Sequence, residues 1–452
     1  MKNQIDMTKG SIMKSVLLFA LPICVGNILQ QLYSTVDTLV IGNFCGAVSL
    51  AAVGTSSQPV EILLCVFLGL GGGVSILASQ YTGKGDRESQ KKLAATAISF
   101  LYASAIPLTI LGQFVGPMVL RFMQVPGDVW KPANDYIRII FLGTLGNMGY
   151  NMNAGILRGM GDSKASLLFL VISSAINILL DLWFVAGLGM DVGGAAFATS
   201  IAMYGSWLFS VIYIQRKYPE IGYTLLPRRM DRKMLYKIVS IGLPLGLNTS
   251  LYSMGHVMMQ YFVNLQGSVF IAACSVGGRI NGIANVAITS LSSAATTFSG
   301  QNLGAGNYVY LKKGGLRIPL VSGLITAIAG ILVTIFCRPI LEIFTRDEAV
   351  LALAVRYIQV VLPFTWAYAV FNGIISFVNG MGKVRFTMIV NLLMLWAVRI
   401  PCAYLITRFI DGGYVMASIS VSFVFGMFCM FSYFWSKDWK RIGKLAGEQH
   451  GI

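Results

Sequence analysis

The stretch SQYTGKGD at residues 79–86 returns as SGQNLGAGN at residues 299–307. Two other pairs have nearly the same spacing: RGMGDSK (158–164) with NGMGKVR (379–385), and VGGAAFATS (192–200) with DGGYVMASI (411–419). The members of each pair lie about 221 residues apart, and self-similarity at a fixed period marks an internal repeat. The chain is therefore predicted to consist of two copies of one structural unit.

The composition places both copies in a membrane. Of the 452 residues, 56% are hydrophobic and 12% are charged, whereas about a quarter of an ordinary soluble domain is charged. The 26 Phe, 19 Tyr and 7 Trp also exclude a disordered chain. Apolar runs of about 20 residues predict transmembrane helices. We place twelve of them, at residues 14–42, 51–80, 93–120, 134–157, 166–188, 192–214, 236–264, 269–298, 314–337, 353–378, 386–407 and 413–435. The predicted fold class is an all-α polytopic membrane protein.

Positive charge is distributed unevenly between the two sides of the predicted membrane. Most of the 34 Lys and Arg residues lie in the inter-span stretches on the side that holds the N-terminus. Because positively charged loops remain in the cytoplasm, both termini are predicted to be cytoplasmic, with the protein in the cell (plasma) membrane. This topology accounts for the net charge of +16, so nucleic-acid binding is not predicted.

Each copy of the repeat contains six spans. Because six is an even number, the second copy enters the membrane from the same side as the first, so the repeats are parallel and related by an axis along the membrane normal. We predict an N-terminal six-helix lobe at residues 1–214, a basic cytoplasmic linker at 215–235 and a C-terminal six-helix lobe at 236–452.

Carboxylates inside the predicted spans are few, and all of them lie in the first half. Of the 18 acidic residues, only Asp37, Glu61 and Asp181 fall well inside a span. An ionisable group there costs about 2.5–3.5 kcal/mol on insertion scales, so it needs a buried partner or a function. In the first span Asp37 ends a polar stripe on one helical face, which also contains Asn27, Gln30 and Ser34. Glu61 is predicted to lie either in a cavity or at the membrane interface.

A second polar pair lies in the fifth span, where Asn177 and Asp181 are four residues apart and share a face. Asn153 and Thr199 are predicted to add an amide and a hydroxyl to the same interior. Carboxylates surrounded by such groups can hold a proton or a small hard cation, and Asp37, Asp181 and Asn177 form the predicted sodium site. The alternative is that the two aspartates only connect neighbouring helices.

The second half presents a polar lining without acids. Asn248, Tyr252, His256 and Met259 follow helical spacing in the seventh span, and Asn281 lies in the eighth. With Gln30, Ser34 and Glu61 of the first half, these are the predicted substrate-binding residues. His256 is predicted either to titrate near neutral pH or to serve as a packing residue. Arg279 and Arg399 are predicted to reach the membrane surface, to pair across helices or to bind an anion.

Motifs of catalysis and of cofactor binding are missing from the sequence. There is no GxxxxGK[ST] loop for ATP, no HExxH metal pair and no GxSxG nucleophile elbow. The glycine cluster LGLGGG at residues 68–73 lies in an apolar span, which favours close helix packing or a bend. The seven cysteines form no CxxC motif and are interpreted as small packing residues. We predict neither an enzyme nor a cofactor, apart from a proton or sodium ion at the intramembrane carboxylates.

At this point the motifs together resemble a known family. The segments LPICVGNILQQLYSTVDTLVIGNFCG, SQYTGKGD, ILRGMGD, NILLDLWFVAGLGMDVGGAAFAT, GLPLGLN, SGQNLGAGN and VRIP stand in this order along the chain. They are similar to those of multidrug and toxic compound extrusion (MATE) transporters. The resemblance implies a V-shaped, two-lobed bundle of twelve helices that exports organic, often cationic compounds in exchange for protons or sodium ions.

Carried over position by position, the resemblance implies a coupling site at Asp37, Asn153, Asn177, Asp181 and Thr199. One departure is visible, because some members place carboxylates in spans seven and ten, where this chain has Tyr252 or His256 and no acid. The predicted function is therefore an antiporter that works through its first half and exports cationic amphipathic compounds by alternating access. Its predicted partners are a small organic substrate and membrane lipid, with no obligatory protein partner.

Two alternatives remain open from the sequence. A flippase for a lipid-linked oligosaccharide would need Arg279 and Arg399 to face a cavity without acidic partners. A non-transporting receptor or scaffold would leave the intramembrane acids without a role.

Overall fold

The computed structural model describes the backbone of residues 4–450, and the side chains of the same residues except those at positions 47, 58, 59, 62, 63, 66 and 450. Within this range the regular structure is helical. The helices of the first half are α1 Ile12–Phe44, α2 Gly46–Lys84, α3 Arg87–Phe122, α4 Gly127–Leu142, α5 Thr144–Gly159, α6 Ser163–Asp181 and α7 Asp191–Lys217. A π-helical segment, Leu182–Gly187, extends α6.

The second half repeats this pattern with more interruptions. Its helices are α8 Arg232–Asn264, α9 Ser268–Gly304, α10 Tyr308–Ile335, α11 Cys337–Glu342, α12 Glu348–Val361, α13 Thr365–Gly380, α14 Val384–Leu392, α15 Ile400–Phe409, α16 Ala417–Phe431 and α17 Lys437–His450. The π-helical segment Leu393–Arg399 joins α14 to α15. Such π segments are uncommon and occur frequently at functional sites.

The predicted spans correspond to helices throughout the described residues. Each of the twelve predicted ranges coincides with one long helix or with consecutive helical segments. Nine helices in the described part of the chain are long and apolar enough to cross a membrane. The predicted all-α class is therefore confirmed.

Contacts between residues divide the described chain into two compact units. Unit 1 consists of residues 4–5 and 25–247, and unit 2 consists of residues 6–24 and 248–450. The division falls within α1 and within α8, so the first part of each of these helices is grouped with the other half of the chain. The predicted lobe boundaries at 214 and 236 remain a prediction about the repeat.

Hydrogen bonds at the start of the chain explain why residues 6–24 are grouped with unit 2. The Met7 backbone N–H donates to Gln301 Oε1 at 3.1 Å, and Asn302 Nδ2 donates to the Met7 carbonyl at 3.1 Å. Asn307 Nδ2 donates to the Thr8 carbonyl at 3.1 Å. The repeated SGQNLGAGN motif therefore anchors the segment that precedes α1.

The glycine cluster of α2 serves close packing, as its apolar context predicted. A Cβ atom built on Gly69 would collide with the backbone of Gly246 on α8. One turn further along α2, a Cβ on Gly73 would lie 2.8 Å from the backbone nitrogen of Gly242. Both contacts lie within unit 1, and only residues without side chains allow the two backbones to approach this closely.

Capping residues begin the helices that follow the repeated motifs. Asp86 of SQYTGKGD accepts a bond from the Ser89 backbone N–H at 2.9 Å, and Asn307 of SGQNLGAGN accepts one from Tyr310 at 3.3 Å. Such acceptors satisfy backbone donors that have no partner inside the helix. The Ser89 backbone N–H also holds the pKa of the Asp86 carboxyl below its usual range. The motifs therefore specify where α3 and α10 begin.

Candidate functional site

Two carboxylates meet inside unit 1. Asp37 lies on α1 and Asp181 is the last residue of α6, directly before the π-helical segment. Their carboxyl groups lie within hydrogen-bonding reach of each other. Asp181 is fully buried and Asp37 is half-buried. Three of their four carboxyl oxygens, Asp37 Oδ1 and both of Asp181, are buried without a hydrogen-bond donor among the described residues.

Polar side chains from three further positions surround this pair. Asn177, one helical turn before Asp181, donates from Nδ2 to Thr199 Oγ1 of α7 at 3.2 Å. Tyr33, one turn before Asp37, lies close to the same threonine. The Asn177 Oδ1 atom is buried and has no donor in the described part of the chain. We call the group Asp37, Asp181, Asn177, Thr199 and Tyr33 the carboxylate site.

Two tyrosines, one in the carboxylate site and one near it, were not predicted from the sequence. Tyr33 precedes Asp37 by four residues and therefore shares its helical face, so its spacing was a usable signal. Tyr136 on α4 also lies near both carboxylates. No spacing in the fourth span marks Tyr136, because its helix shows no polar stripe that leads to it.

Asn153 is used elsewhere in unit 1. This fully buried residue of α5 donates from Nδ2 to Ser210 Oγ at 2.7 Å and accepts a hydrogen bond from the Tyr223 hydroxyl. These bonds connect α5 to α7 and to the segment after it. The structure thus brings together four of the five residues predicted for ion coupling, and a coupling role for Asn153 remains a prediction.

The predicted substrate-binding residues of the first half have exposed side chains. Gln30 and Ser34 lie on α1, one and two turns before Asp37. Glu61 lies well inside α2 rather than at its end, and its side chain is also exposed. Because α2 extends from Gly46 to Lys84, the position of Glu61 in the helix interior is now clear, whereas its role in binding remains a prediction.

Unit 2 contains a cavity of about 480 Å³, which is in the size range of small-molecule sites. Four predicted substrate-binding residues line it together: Tyr252, His256, Met259 and Asn281. The other lining residues include the aromatic side chains Tyr357, Tyr368 and Phe423. Asn248 is not among the described lining residues, and its Oδ1 atom accepts a bond from Asn391 Nδ2 at 2.8 Å. We call this cavity the unit 2 cavity.

Arg399 also lines the unit 2 cavity and is only 1% exposed. Its Nε atom donates to Ser422 Oγ at 2.9 Å, while Nη2 is buried without a hydrogen-bond partner in the described structure. The guanidinium carbon lies 5.2 Å from the ring centre of Phe423 and 5.9 Å from that of Tyr252, as in cation–π contacts. Arg279, by contrast, is exposed and does not line the described cavity wall.

Two helical units built on one repeat, with polar groups inside long apolar helices, have the architecture of a polytopic membrane transporter. The sequence model of the MatE family matches residues 22–183 and 244–405, one copy in each half. The chain therefore belongs to the MatE family, whose members are membrane transporters and not enzymes. The resemblance inferred from the motifs is confirmed.

Individual relatives agree with this assignment over almost the whole chain. The probable multidrug resistance protein YpnP of Bacillus subtilis is 27% identical over 441 residues, which are 97% of this chain and 98% of that protein. The probable multidrug resistance protein NorM of Thermotoga maritima is 22% identical, covering 97% and 95%. A solved MATE structure in the bent conformation has a TM-score of 0.88 at 22% identity and covers 98% of both chains. At that identity the structural similarity establishes the fold alone.

Proposed function

We propose that this protein exports organic, cationic amphipathic compounds across the plasma membrane in exchange for protons or sodium ions. Relatives that match nearly its full length are named as multidrug resistance proteins, which supports export of varied compounds. The observation that carries the coupling mechanism is the contact between Asp37 and Asp181. Both termini are proposed to be cytoplasmic, in accord with the distribution of Lys and Arg.

Repulsion between the two carboxylates provides the coupling. Two adjacent buried carboxylates repel each other when both are charged. The pair is stabilised when it shares one proton or when a cation binds between the two groups. An ionised carboxylate only accepts hydrogen bonds, so one proton would convert Asp37 and Asp181 into a donor–acceptor pair. Neutralisation weakens the attraction for a bound organic cation and releases it. When the unit opens to the cytoplasm and loses the proton, the restored negative charge attracts the next cation.

A sodium ion is the second candidate for the coupling ion. Asp37 Oδ1, Asp181 Oδ1 and Oδ2, and Asn177 Oδ1 are all buried acceptors that lack donors among the described residues. Hard cations bind to oxygen ligands of this kind. These residues fit sodium chemically, and the ion would then replace the proton as the charge that separates the two carboxylates.

These observations support efflux better than they support the two alternatives. A lipid-linked oligosaccharide flippase was expected to direct both Arg279 and Arg399 into a cavity, and Arg279 lies outside the described lining. In a scaffold, buried carboxylates without hydrogen-bond donors would only lower the stability of the fold. In the unit 2 cavity Met259 and the aromatic side chains supply adaptable apolar contacts that suit varied compounds.

The test uses Asp37→Asn in reconstituted vesicles. We expect this substitution to reduce ion-driven export of ethidium to the level of empty vesicles, because an amide cannot exchange a proton or attract a cation. Asp128→Asn is the control, since it removes an exposed carboxylate in the first turn of α4. Export by Asp37→Asn at the wild-type rate would remove the carboxylate pair from the mechanism.

The same vesicles identify the coupling ion. A pH gradient and a sodium gradient are imposed separately, each at zero gradient of the other ion. A shared proton requires that the pH gradient alone drives ethidium export, and a sodium site requires that the sodium gradient alone does so. Export that is equally fast without either gradient would contradict antiport.

A further inference from the structure

We propose that the unit 2 cavity binds a small aromatic organic anion whose carboxylate or sulfonate pairs with Arg399. The first argument is the lack of a counter-ion. A guanidinium group carries a positive charge, and an unpaired charge inside a membrane span is costly. No ion pair among the described residues includes it, and the acidic residues of unit 2 are all exposed. These are Asp6, Glu342, Asp347, Glu348, Asp411, Asp438 and Glu448. The missing negative charge therefore comes from a ligand.

The second argument is the unused hydrogen-bonding capacity of the guanidinium group. Ser422 accepts from Nε, which leaves Nη2 buried without an acceptor in the described structure. A guanidinium binds a carboxylate through two parallel N–H donors, a geometry that a single hydroxyl cannot provide. Arg399 is also the last residue of the π-helical segment Leu393–Arg399, a type of local structure that occurs frequently at binding sites.

The third argument is the shape and chemistry of the cavity. Its volume of about 480 Å³ accommodates a ligand of two fused rings. Tyr252, Tyr357 and Phe423 line it with ring surfaces, and Asn281 adds an amide. Aromatic walls around one cation select a flat apolar body with a single anionic group. A fully hydrated inorganic ion would leave those walls without contacts.

This inference goes beyond the proposed function, which concerns cationic compounds, and it claims binding of the anion only. Binding itself belongs to unit 2 and does not require the carboxylate site. Asp37→Asn is therefore expected to lose ion-driven export and to keep anion binding, so the two proposals can fail separately.

The test is isothermal titration of the full-length protein in nanodiscs of phosphatidylcholine. The probes are 2-naphthoate and 2-naphthamide, which have the same rings and differ in charge. We expect naphthoate to bind about tenfold to a hundredfold more tightly, as one charge-assisted pair provides. Equal affinities in the wild-type protein would overturn the proposal, and this comparison requires no variant to fold.

Arginine variants test whether Arg399 causes the preference for naphthoate over naphthamide. Arg399→Met should abolish the preference for naphthoate, and Arg399→Lys should restore part of it, because lysine keeps the charge and loses the planar fork. Arg279→Met is the matched control and should bind both probes like the wild type, since Arg279 lies outside the described cavity wall. An unchanged naphthoate affinity in a folded Arg399→Met protein would contradict the assignment.

A lipid phosphate is the alternative source of the anion. Competition between naphthoate and a short-chain anionic lipid distinguishes the two sources. Dihexanoyl phosphatidylglycerol is titrated against bound naphthoate in the same nanodiscs. We expect naphthoate to remain bound at equal concentrations of the two. If the lipid displaced naphthoate from the wild-type protein, and if this effect were absent in Arg399→Met, the cavity would be assigned to lipid headgroups. That result would overturn the small-anion proposal.

Discussion

Unit 1 and unit 2 each contain most of one copy of the MatE family model, and their polar centres carry opposite charges. Unit 1 places the Asp37 and Asp181 carboxylates together at the end of α6. In unit 2 the equivalent helix of the repeat, which also follows a Gly-Met-Gly motif, carries Arg399 instead. One repeat therefore accommodates either sign of charge at its polar centre.

Steric packing is what the two units share. Gly159 and Gly380 occupy equivalent positions in the repeat. A Cβ on Gly159 would lie 2.7 Å from Ala78 Cβ on α2, and a Cβ on Gly380 would collide with Ser299 on α9. In both units, a missing side chain lets the fourth span approach the second. At both positions a residue larger than glycine would have no room, which explains why both halves have glycine there.

The two units differ in the polarity of the ion pair that follows the Gly-Met-Gly motif. Asp162 and Lys383 each follow the Gly-Met-Gly motif of their half. Asp162 Oδ2 lies 2.8 Å from Lys217 Nζ, and Lys383 Nζ lies 2.9 Å from Asp438 Oδ2. The repeat thus retains an ion pair at this loop with its polarity reversed. Burial also differs, because the Asp162 side chain is 0% exposed and that of Asp438 is 48% exposed.

Breaking the buried pair of unit 1 should have the largest effect on stability. Asp162 accepts bonds from Lys217, Tyr213 and Tyr218 at 2.6–2.9 Å. Asp162→Asn removes the charge that these donors share and should lower the free energy of unfolding by about 3 kcal/mol. The measurement is reversible denaturation in detergent micelles, followed by circular dichroism.

A double variant is the control for this prediction. In Asp162→Asn with Lys217→Met, no buried charge is left without a partner, so the loss should be smaller than the sum of the two single losses. A loss equal to that sum would show that the two side chains act independently. The difference between the units would then not lie in this ion pair.

Substitution of the equivalent glycines should have an intermediate effect on the free energy of unfolding, and the effect should be of similar size in both units. Gly159→Ala and Gly380→Ala each force a methyl group against a neighbouring helix and should cost about 1–3 kcal/mol. Gly54→Ala is the matched control, because it lies in α2 and nothing stands within 4 Å of its built Cβ. The same denaturation experiment applies. If only one of the two glycines is sensitive, the packing is not a common property of the repeat.

Much of this comparison could be predicted from the sequence, for physical reasons. Carboxylates are so costly in apolar spans that their rarity identified Asp37 and Asp181. Helical spacing then placed Asn177 one turn from Asp181, and it placed Tyr252, His256 and Met259 of α8 on a face that lines the unit 2 cavity, whereas Asn248 of the same stripe does not line it. The motifs at a fixed offset predicted the repeat itself.

The remaining features depend on partners that are distant in the sequence. Asn153 was predicted near the carboxylates, but an amide binds whatever donor or acceptor the fold supplies. Its partners Ser210 and Tyr223 lie 57 and 70 residues further along the chain. The isolation of Arg399 is likewise a three-dimensional property, since the sequence cannot show whether a carboxylate from another helix reaches it.

The smallest effect is expected for the exposed ion pair of unit 2. Lys383 and Asp438 are 52% and 48% exposed, so water and salt screen their attraction, and Asp438→Asn should cost no more than about 1 kcal/mol. Denaturation in low and high salt measures this, and the small loss should shrink further as the ionic strength rises. Asp162→Asn should keep most of its effect in high salt, because the Asp162 carboxylate is buried. If the two variants lost equal stability with equal salt dependence, burial would not explain the difference between the two ion pairs.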